Sequence, residues 1–138
     1  MQFEVRPYGK EYRFDQQSDI TDLIYTSSGL RITVIAATSI FTNIYLDIHF
    51  SSAAGFRLLD EGDLIAYWES GAFGSNHHVY EILSGGWTNG EPVPDGILSG
   101  RELIGYREWF IATTNKCITV LSGDEPLTRE ITNPSISS

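Results

Sequence analysis

From Asn43 to Phe50 the chain alternates strictly. Ile44, Leu46, Ile48 and Phe50 fall on one side, and Asn43, Tyr45, Asp47 and His49 on the other. Side chains of an extended strand point to opposite faces in turn, whereas a helix repeats every 3.6 residues, so this run reads as a half-buried strand. Just before it, Leu30 to Ala36 is rich in β-branched residues (Ile32, Thr33, Val34, Ile35), which fit a pleated sheet. The two strands are expected to be neighbours.

The rest of the chain is cut into short pieces by 13 glycines and 5 prolines. Phe3–Arg6 and Tyr12–Phe14 alternate around Pro7-Tyr8-Gly9-Lys10 and read as an N-terminal hairpin with Pro7 at its corner. Residues 15–29 stay ambiguous, with helical spacing at Asp19, Ile20, Leu23 and Ile24 but strand formers at Thr21, Tyr25 and Thr26. Asp60 can cap a short helix whose start suits Glu61 and Asp63; Leu64, Ile65 and Trp68 share its core face, and Ser70-Gly71 ends it. His77-His78 opens a strand that closes at Gly85-Gly86, and residues 85–100 form a long irregular segment. Glu108–Thr113, Cys117–Leu121 and Leu127–Ile131 read as three strands joined by a tight hairpin at Thr114–Lys116 and a longer connection at Ser122–Pro126.

The sum is seven to eight short strands and one or two short helices, without βαβ alternation. The expected fold is mainly β (β-dominated α+β): an antiparallel sandwich, a half-open barrel or a curved sheet. Residues 1–131 form a single domain and residues 132–138 a frayed tail.

Charge narrows the function classes. Nine basic against 18 acidic residues give a net −9 over 138 residues. Such a chain repels phosphate and anionic lipid, so neither nucleic acid nor membrane is an expected partner. The single cysteine, Cys117, lies in an apolar run and reads as a buried core thiol. The start of the chain lacks a basic stretch followed by an apolar one, and the longest apolar run, Ile32–Phe41, is too short to span a bilayer. The expectation is a soluble cytoplasmic protein.

Three groups of residues invite a chemical reading. His49 shares a strand face with Asp47, and His77 or His78 lies in the same strand as Glu81; strands that met would give a zinc site or an oriented base. Solvated polar residues on an outer sheet face are the plainer account. Ser84-Gly85-Gly86 lacks a nucleophile elbow, and no glycine run ends in the Lys-Ser/Thr of a phosphate loop. The acidic cluster Asp60-Glu61-Gly62-Asp63 has the wrong spacing for a calcium loop; it is expected to cap a helix and to add to an acidic surface with Glu69, Glu81, Glu91 and Asp95. Among the aromatics, Trp87 at the mouth of the long loop and Tyr67 are candidate apolar anchors.

Phe56–Leu64, Tyr80–Trp87 and Asn115–Ser122 together resemble small acidic single-domain bacterial proteins, some of them immunity partners of antibacterial toxins. The resemblance implies a binding module and no catalytic residues. The expectation is therefore an immunity-type protein, without cofactor or metal, that occludes the active site of a basic toxin domain through Asp60, Glu61, Asp63, Tyr67, Glu69, Trp87, Glu91 and Asp95. Two alternatives remain open: a small metal-binding β-barrel enzyme using His49 with His77 or His78, and a homo-oligomeric structural or assembly protein.

Overall fold

The computed structural model describes residues 3–11, 18–38, 42–60, 65–73, 77–85, 106–114 and 116–134. Among them are nine strands and one short helix: β1 (Glu4–Tyr8), β2 (Asp19–Thr26), β3 (Gly29–Thr38), β4 (Thr42–Phe50), β5 (Ala53–Leu59), α1 (Ile65–Glu69), β6 (Val79–Ser84), β7 (Arg107–Ala112), β8 (Cys117–Ser122) and β9 (Leu127–Pro134). The strands form two antiparallel sheets, ordered β1-β6-β7-β8-β5 and β2-β3-β4-β9, with no closed barrel.

The expected β3–β4 pair is present, with Ile32 opposite Ile48 and Val34 opposite Leu46. Its apolar face meets the other sheet. Leu30, Ile32 and Val34 of β3 and Leu46, Ile48 and Phe50 of β4 pack with Val79, Trp109, Ile111, Ile118 and Val120. That packing makes the molecule a sandwich. Each large apolar side chain fully buried there contributes roughly 1.5–3 kcal/mol.

A second apolar cluster lies on the outer face of the five-stranded sheet. Phe3, Leu59, Tyr67, Phe73, Tyr80, Phe110 and Cys117 pack there beneath α1. The five-stranded sheet is thus covered on both sides, and β8 is buried along its whole length. Trp109 and Phe110 point to opposite faces, yet both are buried. Cys117 is buried as expected.

Several sequence expectations are corrected. Pro7 and Tyr8 lie inside β1, and the turn falls at Gly9 (φ 84°). β1 pairs with β6 as an edge strand, where a proline without an N–H is tolerated. Residues 12–14, the other arm of the expected hairpin, lie outside the described residues. The ambiguous 15–29 stretch yields β2, whose turn into β3 places Gly29 at φ 112°, close under the Phe50 carbonyl. β7 and β8 form the expected hairpin, but β9 leaves β8 for the other sheet and pairs with β4. That pairing carries the strand through Thr132 to Pro134, so these residues are not a frayed tail.

Candidate functional site

The helix side of the sandwich holds the described part of the expected partner-binding set. α1 has five residues, barely more than one turn, and sits on the outer cluster. Tyr67 is the residue it buries. Its ring stacks on Phe110 with centroids 5.0 Å apart and planes 16° from parallel, and it also meets Phe3 at 4.6 Å. Arg57 donates to the Tyr67 hydroxyl at 3.4 Å. Tyr67 is therefore a core residue, and its expected role as a surface anchor is corrected.

The expected core face of the helix turns outward instead. Ile65 is 58 % exposed and Trp68 38 % exposed. Trp68 still touches Phe110 and Phe73 edge-on, at 6.2 and 6.4 Å, so one side of its ring is fixed and the other is open. Exposed Asp60 and Glu69 flank this ridge in the chain. Glu61, Asp63, Trp87, Glu91 and Asp95 lie outside the described residues.

The histidines do not converge. His49 lies on the outer face of the four-stranded sheet, and its Nε2 donates to the Ser28 carbonyl at 2.9 Å. His78 is buried, with Nδ1 donating to the Ala112 carbonyl at 2.7 Å. Burial pushes its pKa below the ordinary 6.5, against the pull of that backbone bond. His77 packs edge-on to Tyr80. Among the described residues no three histidine, cysteine or carboxylate side chains group as metal ligands. The expected His49–His77/His78 constellation is not assembled.

Two carboxylates sit instead between pairs of arginines. Glu81 on β6 is buried and receives Arg107 in a fork, Nε to Oε2 at 2.7 Å and Nη2 to Oε1 at 3.0 Å, while Arg6 donates to Oε1 from β1. The Arg107 bonds hold the Glu81 carboxyl below its ordinary pKa, outweighing burial, and Arg6 adds to them. Arg107 also lies over the Trp109 ring, 4.9 Å from its centre, and reaches Glu125 at 3.7 Å. On the four-stranded sheet, Asp47 of β4 faces Arg31 of β3 at 3.5 Å and Arg129 of β9 at 3.3 Å. Sequence alternation places Asp47 on the outer face, but its partners follow from strand order.

A small cleft at the β1/β9 side is lined by Tyr8, Lys10, His78, Val79 and Glu130. Lys10 pairs with Glu130 across it at 3.1 Å, and the Tyr8 hydroxyl donates to the Pro126 carbonyl at 3.0 Å. These contacts tie the two sheets together on that side.

No helix among the described residues is long and apolar enough to cross a membrane. No family model matches the chain, and comparison with curated proteins and with solved structures likewise finds no match.

Proposed function

We propose that the chain is a protein-binding module that docks the helix side of its sandwich onto a basic protein, as an immunity protein blocks an antibacterial toxin. The observation that carries this reading is the α1 ridge. Trp68 and Ile65 stand exposed on a helix whose neighbour Tyr67 locks it to the sheet, and Asp60 and Glu69 flank them. A half-buried tryptophan on a rigid base loses little freedom on binding and suits an interface anchor. Carboxylates beside it would steer a positively charged partner.

The distribution of charge supports the same reading. Arg6, Lys10, Arg31, Arg107 and Arg129 all sit against carboxylates of this chain. Exposed Glu4, Glu11, Asp22 and Glu69 make no ion pair among the described residues. Arg6, Lys10 and Arg107 are thus screened locally, while these four carboxylates face solvent. The resemblance of three segments to small acidic bacterial proteins adds to this.

The test uses the purified chain as bait in an extract of its host. The expected catch is a basic protein whose retention falls as salt rises and is lost in Trp68→Ala and Glu69→Lys. Retention indifferent to salt and to both substitutions overturns the reading. A homo-oligomer is the second reading, favoured by the edge strand β2, where Leu23, Ile24 and Tyr25 are all exposed. A mass measurement in solution separates the two.

A further inference from the structure

We propose that the groove over Asp47, on the sheet face opposite α1, binds a small carboxylate between the guanidinium groups of Arg31 and Arg129.

The groove is lined by Arg31, Asp47, His49, Leu127, Thr128 and Arg129, and its volume is about 240 Å³. Register builds it. Asp47 stands directly opposite Arg129, and the next row across the same three strands is Arg31, His49 and Leu127. Both arginines converge on one oxygen, Oδ2, each through a single nitrogen. A guanidinium has five N–H donors in a fixed fork. Asp47 therefore holds the two forks side by side without satisfying them. Their side chains are 49 % and 70 % exposed, so the remaining donors face the groove and solvent.

At Glu81 two arginines meet two carboxylates, Glu81 and Glu125. In the groove, among the described residues, two arginines meet only Asp47. Asp22, opposite Thr33 on the same face, makes no ion pair with either. One negative charge would balance the groove, and a carboxylate carries one in the planar form that matches a guanidinium fork. A dianion or polyanion would overshoot and meet the repulsion of a −9 chain. Leu127, 73 % exposed at the rim, offers an apolar surface to the ligand's carbon tail. Asp47 pre-positions the forks, and Arg31 and Arg129 bind.

The test follows backbone amide NMR shifts of the full chain at fixed ionic strength while sodium acetate, sodium benzoate or inorganic phosphate is added. Benzoate is expected to bind with a dissociation constant on the order of 1 mM, given one exposed forked contact and a small apolar one. Its shifts are expected to be confined to residues 31, 47–49 and 127–129. Acetate binds more weakly, and Leu127→Ala removes most of that difference. Arg129→Gln and Arg31→Gln each weaken benzoate about tenfold or more, with thermal unfolding of each variant checking that the fold persists. Shifts spread equally over Arg6, Lys10 and Arg107, phosphate binding more tightly than benzoate, or affinity unchanged in both arginine variants would overturn the assignment. None of these outcomes bears on the α1 ridge, which lies on the other side of the sandwich.

Discussion

Tyr67 lies flat against Phe110, 16° from parallel and 5.0 Å between centroids, and this stack joins the only described helix to the centre of the five-stranded sheet. Five helical residues are too few to be stable by their own hydrogen bonds. The helix is held because one buried ring fixes it. Removing that ring leaves a cavity among Phe3, Phe73 and Phe110. Tyr67→Ala is expected to cost about 3–5 kcal/mol in urea unfolding, as large aromatic truncations do. Trp68→Ala, one residue on and open on one side, should cost about 1 kcal/mol or less while abolishing partner capture. Equal losses of stability in the two variants would contradict this division of labour.

Glu81 gives the fold an acid limit. Its carboxylate is favoured in the folded state by Arg107 and Arg6, so its pKa there lies below the ordinary 4.5. The unfolded chain takes up the proton first as pH falls. The stabilisation is therefore complete above pH 4.5 and is lost as pH drops toward the lowered folded value. Glu81→Gln is expected to lose about 2 kcal/mol at pH 7, where charge-assisted bonds become neutral ones. Its stability should fall less steeply than wild type below pH 4.5. Parallel acid limbs in urea titrations at several pH values would show that Glu81 does not set the limit.

How far the sequence foretold this molecule depends on whether the signal was local. β3 and β4 were legible because period two and β-branching are carried within each strand. Residues 15–29 were not, since helical spacing at Leu23 and Ile24 competed with strand formers; pairing with β3 settled it. Tyr67 and Trp68 exchanged roles because a helix this short lacks the turns for periodicity to define a face. The pocket under it comes from Phe3, Phe73, Tyr80 and Phe110, distant in sequence. Trp109 and Phe110 were both buried because the sheet is covered twice, which alternation alone does not reveal. The setting of Asp47 depends on Arg31 and Arg129, brought together only when β9 crosses to the other sheet.

Cys117 provides a chemical probe of the closed core. Burial raises its thiol pKa to about 12, with the Thr113 carbonyl 3.7 Å from the sulfur. The thiolate is the reactive form, so at pH 8 almost none exists in the folded chain. A thiol reagent such as a mixed disulfide is expected to leave the native protein untouched over hours and to label it at once in denaturant. Rapid stoichiometric labelling in native buffer would mean that the cluster beneath α1 opens far more readily than its packing implies.

His78 sets a second, milder pH dependence. It is buried with Nδ1 bonded to the Ala112 carbonyl, and burial holds its pKa below 6.5 in the fold. The unfolded chain binds the proton more readily, so stability is full above pH 6.5 and declines as pH falls below it. This window lies above that of Glu81, so the two can be read apart in one titration. His78→Gln is expected to cost about 1–2 kcal/mol at pH 7.5 through imperfect replacement of the Ala112 bond. Between pH 7 and pH 5 its stability should stay nearly level while the wild type declines. If the variant falls as steeply as the wild type over that interval, the loss of stability belongs to another group, and His78 matters through its hydrogen bonding, as to Ala112 of β7, rather than through its charge.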